Sequence, residues 1–183
     1  MAKTRKKKPV FSDTEYNSND GMLTSVWGPS MWHFLHTTSF NYPVKPSLAD
    51  KHHYRDLILN LRWTLPCGKC RKNLIVNLRK LPLRMKHMAS RTTFSQYVYD
   101  LHELINTMLG KRSGLSYESV RERYEHFRSR CTKKVVVNEK GCVEPLYKGE
   151  KAKCILKIVP QEDTGETFQI DDKCIKRKTE SAK

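Results

Sequence analysis

Trp27-Gly28-Pro29-Ser30-Met31-Trp32-His33-Phe34-Leu35-His36, running on to Tyr42-Pro43, is the stretch on which the fold turns. Pro29 suits the first turn of a helix, where its missing N–H costs no hydrogen bond. From there Trp32, Leu35, His36 and Ser39 recur at helical spacing and share one face, and Pro43 stops the helix. Next comes Cys67-Gly68-Lys69-Cys70, an isolated Cys-x-x-Cys. Pro66 can open a helix that holds both thiols in its first turn. The positive helix end there favours thiolate, and Lys69, Arg71 and Lys72 add charge of the same sign. A histidine and tryptophan helix ahead of such a pair suggests a dithiol beside a flat, stackable ligand that accepts its electrons. Taken singly, Trp32, His36 and Tyr42 are better explained as core, and Cys67 with Cys70 equally well as a structural disulfide closing a turn.

Working outward, the same periodicity supplies the rest of a bundle. Ser47 can cap a second helix with Leu48, Tyr54, Leu57, Ile58 and Leu61 apolar. The third helix runs from Cys67 through Leu74, Ile75 and Leu78. Thr92 or Thr93 can cap a fourth, carrying Phe94, Tyr97, Val98, Leu101, Leu104, Ile105 and Met108 and ending at Gly110. Ser116 can cap a short fifth with Val120, Tyr124 and Phe127. Four such helices joined by short loops predict a four-helix bundle with the fifth helix across one end. His36 and His102 on different helices, Asn106 one turn beyond, and Lys111 past the helix end form a set able to grip a ring system and a phosphate.

The flanks differ in character. Residues 1–24 are polar and are expected to form a disordered tail. Residues 131–175 hold Val135-Val136-Val137, Cys154-Ile155-Leu156-Lys157-Ile158-Val159 and Thr167-Phe168-Gln169-Ile170 between turn signals. This pattern predicts a small β-rich module, stapled by Cys131, Cys142, Cys154 and Cys174. A basic tail covers 176–183. The domain proper is placed at 25–130.

The chain has 183 residues, six cysteines and a formal charge of +16. It is long enough to bury a core. No stretch is apolar enough to span a membrane, and no apolar run follows the N-terminal basic residues as a secretory signal requires. The later cysteines are too widely spaced for a zinc finger or ribbon, so no metal site is expected. The run Thr4-Arg5-Lys6-Lys7-Lys8 reads first as a solvated tail, with nucleic acid a secondary expectation. The competing function class is a basic virion or nucleic-acid-associated structural protein in which the Cys-x-x-Cys is only a staple.

The two quoted segments, together with Leu101-His102-Glu103-Leu104-Ile105-Asn106 and Leu109-Gly110-Lys111, resemble the Erv/ALR family of FAD-dependent sulfhydryl oxidases over about residues 25–128. The opening Trp-Gly-Pro-x-x-Trp is similar to versions carried by large DNA viruses. The resemblance implies a helical bundle holding FAD, usually as a homodimer. It also implies oxidation of protein dithiols with molecular oxygen as electron acceptor and hydrogen peroxide as product. Carried over by position, Trp32 and His36 contact the flavin, with Tyr42 also assigned to the cofactor. His102 and Asn106 take the adenine and ribose side, Lys111 a phosphate or the flavin, and Arg123-Tyr124 matches the family's Arg-Trp. Cys70 is then the flavin-proximal thiol and Cys67 the exchanging one. A host-cytoplasmic assembly site or the virion is the expected location. Two departures stand out: Glu103 replaces a family asparagine, and Tyr99 replaces a cysteine that many members pair in a structural disulfide.

Overall fold

The structure, a computed structural model, describes residues 12–131, 143–145 and 152–175. The basic run at 4–8, the valine run at 135–137, the turn signal at 138–141, Cys142 and the end from 176 lie outside the described residues. Six helices are described: α1 (Asp13–Tyr16), α2 (Thr24–Phe40), α3 (Leu48–Thr64), α4 (Gly68–Lys80), α5 (Arg91–Met108) and α6 (Tyr117–Glu125). Helices α2 to α5 make the bundle. α2 packs on α5, α3 on α4, and α6 lies against α2. None is long and apolar enough to cross a membrane.

Local chemistry accounts for most helix starts. Ser47 caps α3 reciprocally with Asp50, and Ser116 caps α6, both as predicted. α5 starts earlier than Thr92: Ser90 is the cap, and Thr93 closes the box from inside the first turn. α2 also starts earlier than expected, at Thr24, so Pro29 lies inside the helix. Its missing N–H leaves one ladder bond unmade, a cost an exposed helix end can bear because water reaches the freed carbonyl. α4 begins at Gly68 rather than Pro66, and Cys67 is its cap, in extended conformation at φ −156°.

The core is centred on Tyr42, Ile58, Leu74, Leu78, Met88, Phe94, Tyr97, Val98 and Leu101. Two buried tyrosines anchor the α4–α5 connection. Tyr42 donates its hydroxyl to the Met88 carbonyl at 2.9 Å, and Tyr97 donates to the Leu81 carbonyl at 2.8 Å. Each bond contributes about 1 kcal/mol net, and leaving the buried hydroxyl unpaired would cost more. The C-terminal end of α2 is gripped by cations, which its partial negative charge favours. Arg128 donates to the Phe40 carbonyl at 3.0 Å and Arg91 to the Tyr42 carbonyl at 2.6 Å. These contacts fix the helix that carries Trp32 and His36.

The extension is less regular than its sequence predicts. Ser129–Cys131 pairs antiparallel with Val143–Pro145. The Cys154–Val159 and Thr167–Ile170 runs, expected as strands, are irregular. Ile155, Leu156 and Ile158 stand about three-quarters exposed, at 75%, 74% and 76%. β-branched side chains favour a strand only where a neighbouring strand accepts the ladder, and none among the described residues does so. Cys154 and Cys174 are free thiols, so no staple joins those two.

Candidate active site

Two places in the bundle carry chemistry. One is the start of α4. Cys67, as cap, accepts a hydrogen bond from the Cys70 backbone N–H at 3.2 Å. Both thiols are free and half-buried. Hydrogen bonding from the Cys70 side chain is the main cause that lowers the Cys67 thiol from its ordinary value, with backbone N–H groups and Thr24 assisting against desolvation. Cys70 moves up, first through burial and then through donating to Cys67. The geometry thus makes Cys67 the more acidic thiol, at the solvent side of a helix N-terminus. Residues 21–24, placed in the tail at sequence level, lie directly over this pair. The Met22 N–H donates to the Pro66 carbonyl at 2.7 Å, and the Thr24 hydroxyl sits 3.4 Å from the Cys70 sulfur.

The second place is a cluster of rings from α2, α5 and α6. Trp32 and His102 stack with centroids 3.8 Å apart and planes within 8°. His36 Nε2 and His102 Nδ1 share a hydrogen bond at 3.0 Å. Tyr124 lies 5.5 Å from His36 and stacks on His33, whose Nδ1 is 3.3 Å from its hydroxyl. Burial leaves little solvent to stabilise an imidazolium. It takes His36 down to about 3, with the charges of His102 and His33 adding to the effect. It takes His102 down to about 4, against an opposing pull from Glu103. Burial likewise pushes the Tyr124 hydroxyl up. At neutral pH this is an uncharged, polarisable wall.

Three buried side-chain atoms have no hydrogen-bond partner among the described residues: His36 Nδ1, Arg62 Nε and the side-chain oxygen of Asn77. Asn77 is 1% exposed, and its amide N–H reaches only the Met108 sulfur, at 3.5 Å. An orphaned buried polar atom costs about 1–3 kcal/mol, so those of His36 on α2 and Asn77 on α4 are each suited to meet a polar group of a ligand. Trp32 and His102 already lie face to face. A flat ligand therefore meets an outer face of the pair or takes the place of one member.

The structure gathers Trp32, His36, His102 and Tyr124 into one cluster and leaves the other sequence-derived candidates outside it. Tyr42 packs in the core against Tyr54 and Phe94. Asn106 lies one turn past His102, its amide donating to Glu103 at 2.9 Å, so the residue that departs from the family pattern orients a candidate ligand. The exposed Lys111 follows the end of α5, its N–H bonded to the Asn106 carbonyl at 2.8 Å. Arg123 is half-buried beside Tyr124. Tyr99 donates to the Leu115 carbonyl at 2.7 Å, tying α5 to the segment before α6 where the resemblance implied a disulfide in other members.

Sequence reading missed four residues: Thr24, His33, Asn77 and Phe168. Asn77 was discoverable as a polar residue on the apolar face of α4 set by Leu74 and Leu78. Phe168 was not. It comes from the extension and lies 5.0 Å from His33, 5.9 Å from Tyr124 and 6.3 Å from Phe127.

An all-helical bundle with a dithiol capping one helix and a buried histidine and tryptophan cluster between its neighbours defines a compact helical redox domain. The chain belongs to the Erv1/Alr family, whose profile matches residues 29–125. It is 35% identical over 104 residues to a probable FAD-linked sulfhydryl oxidase of Acanthamoeba polyphaga mimivirus, covering 57% of this chain and 72% of that protein. It is 28% identical over 99 residues to an FAD-linked sulfhydryl oxidase of African swine fever virus, covering 54% and 80%. The crystal structure of the yeast Erv1 core superposes with a TM-score of 0.51 at 20% identity, over 64% of this chain and 96% of that one, and shares the fold.

Proposed function

We propose that the chain is an FAD-linked sulfhydryl oxidase that forms disulfide bonds in protein substrates, with Cys67 and Cys70 as its redox centre and molecular oxygen as final acceptor. The observation that carries this reading is the Cys67–Cys70 pair capping α4, in the same bundle as buried, partnerless polar atoms on α2 and α4. FAD, when bound, supplies a two-electron acceptor that hands its electrons to oxygen, giving hydrogen peroxide.

The residues divide the work. In the oxidised centre, a substrate thiolate forms a bond to the Cys67 sulfur. The Cys67–Cys70 bond breaks and its electron pair leaves on Cys70. A second substrate thiolate then displaces Cys67, and the substrate departs as a disulfide with two electrons left on the pair. Cys67 is the exchanging member because it lies at the helix cap, nearer solvent, and its acidity then speeds its own release when the second substrate thiolate displaces it. Cys70, one turn inside α4, faces the bundle.

Trp32, His36 and His102 would hold the cofactor rings, with His36 Nδ1 and the Asn77 oxygen as polar contacts. Asn106 and Lys111 would meet the ribose and phosphates. Because His36 and His102 are held neutral, the cluster adds no fixed positive charge beside the rings. Exposed Val26, Phe34 and Trp63 offer apolar surface suited to a homodimer. A viral assembly site in host cytoplasm fits the viral relatives.

The test is direct. The purified protein should show the absorption of bound flavin and consume oxygen with dithiothreitol. A colourless protein that remains inactive with added FAD overturns the reading.

A further inference from the structure

We propose that Thr24 is the residue that stabilises the Cys70 thiolate, its hydroxyl donating to the sulfur while Cys67 is tied up with substrate. The inference rests on the assignment of Cys67 as exchanging thiol and Cys70 as leaving thiol. Thr24 precedes the residues matched by the family profile, so nothing in that match assigns it a role.

The geometry is built around this contact. Thr24 opens α2, yet its hydroxyl lies 3.4 Å from the Cys70 sulfur rather than in a cap, and the preceding Leu23 makes no side-chain cap bond either. The backbone on either side is pinned. The Met22 N–H donates to the Pro66 carbonyl at 2.7 Å, and the Trp27 indole N–H donates to the Met22 carbonyl at 3.1 Å. Gly21 lies so close to the dithiol that a Cβ there would sit 2.8 Å from both the Cys67 Cα and the Pro66 carbonyl oxygen. Only a residue without a side chain permits this approach. Residues 21–24 therefore form a strap that lays the Thr24 hydroxyl over the dithiol, 3.4 Å from the Cys70 sulfur and also assisting Cys67 in the free pair.

In the free dithiol, Cys70 also donates to Cys67. That bond disappears once Cys67 is joined to substrate, and so does the charge on Cys67. The electron pair released by S–S cleavage then rests on Cys70, with Thr24 as its remaining side-chain hydrogen-bond partner among the described residues. Few charges compete. Cys67 is the titratable neighbour on α4, Lys69 is exposed, and the Arg71 guanidinium is turned to the Leu65 carbonyl at 2.5 Å. α2 presents the uncharged Thr24.

The experiment uses the flavin-loaded full chain carrying Cys67→Ser, which leaves Cys70 unpaired. A pH titration of its long-wavelength charge-transfer absorbance reports the Cys70 thiolate. Adding Thr24→Val should raise the midpoint by roughly 0.5–1 pH unit, the loss expected for one hydrogen bond to a charged, partly exposed acceptor. Thr24→Ser should restore it, and Gly21→Ala, which pushes the strap away, should move it as Thr24→Val does. The pH profile of Cys70 alkylation by iodoacetamide, located by peptide mass after removal of flavin, reads the same ionisation without the cofactor and should shift in step. Unchanged midpoints in both measurements overturn the proposal. A charge-transfer band in Cys70→Ser instead of Cys67→Ser would sink the order of the two thiols, while the alkylation profile still decides the role of Thr24.

Discussion

The dithiol and the ring cluster are held by opposite physics. Cys67 and Cys70 sit at a helix start, half-exposed and governed by hydrogen bonds from backbone and hydroxyl groups. The ring cluster is governed by desolvation, which holds two histidines neutral and leaves the His36 Nδ1 atom without a partner. The first site can gain or lose charge cheaply because water is near. The second cannot, so it suits stacking and holding rather than exchange. Thr24 and Trp32 are eight residues apart on α2, about 12 Å at 1.5 Å per residue, so one helix spans both regimes.

If that contrast is right, substitutions at the two places should fail differently. The largest effect is expected from Cys70→Ser. Dithiothreitol oxidation should fall at least about 100-fold, as expected when one member of a covalent exchange pair is removed, while flavin content and thermal unfolding stay near those of the parent. Loss of flavin in that variant would break the comparison, because it would make the dithiol part of the cofactor's grip. His36→Ala should do the reverse. Flavin affinity should drop roughly 10- to 100-fold, the consequence of losing about 1–3 kcal/mol of buried contact. Flavin retained on a desalting column, with an unshifted spectrum, would show that the cluster does not hold the cofactor.

Acid should separate the two sites next. An unfolded histidine takes up a proton near pH 6.5, whereas folded His102 and His36 refuse it until about 4 and about 3. Through that window the unfolded state binds more protons, so stability falls as pH falls. The slope is about 1.4 kcal/mol per pH unit for each histidine. Thermal unfolding between pH 7 and 4 checks this, and His102→Asn should flatten the slope. An unchanged slope would mean that the pair is solvated after all. The Cys67 thiol is lowered too, but by hydrogen bonds that favour its charged form, so its thiolate persists to lower pH and its alkylation should be faster than that of Cys70 at neutral pH.

Asn77→Leu sharpens the comparison from inside α4. Removing an unpartnered buried amide oxygen should leave flavin-free stability unchanged or raise it by about 1 kcal/mol, yet weaken flavin binding. Lower stability without an effect on flavin would make Asn77 purely structural. The smallest effect belongs to Phe168→Ala, which removes ring contacts with His33 and Tyr124 worth about 1 kcal/mol. A small drop in unfolding temperature is expected, and none at all would detach the extension from the cluster.

The bundle was legible because its helices announce themselves: apolar residues recur every three to four positions, and Ser47 and Ser116 cap where periodicity starts. Helix starts at Thr24 and Ser90 were less legible, since Thr24, Ser25, Ser90, Thr92 and Thr93 all compete as caps and only packing chooses. The strands expected at Cys154–Val159 and Thr167–Ile170 were misread because β-prone composition says nothing about whether a partner strand exists.

The sequence by itself determined the helical periodicity, the Cys-x-x-Cys and its place at a helix start, and the histidine and tryptophan spacing that puts Trp32 and His36 on one face. These are local properties, set within about one helical turn of chain. Tertiary structure alone decided which side chains meet: His102 stacked on Trp32, Tyr42 withdrawn into the core with its hydroxyl on Met88, Phe168 brought back against His33, and Thr24 laid over Cys70. Each contact joins residues far apart in sequence, and its free energy depends on burial and approach that exist only once the helices have packed.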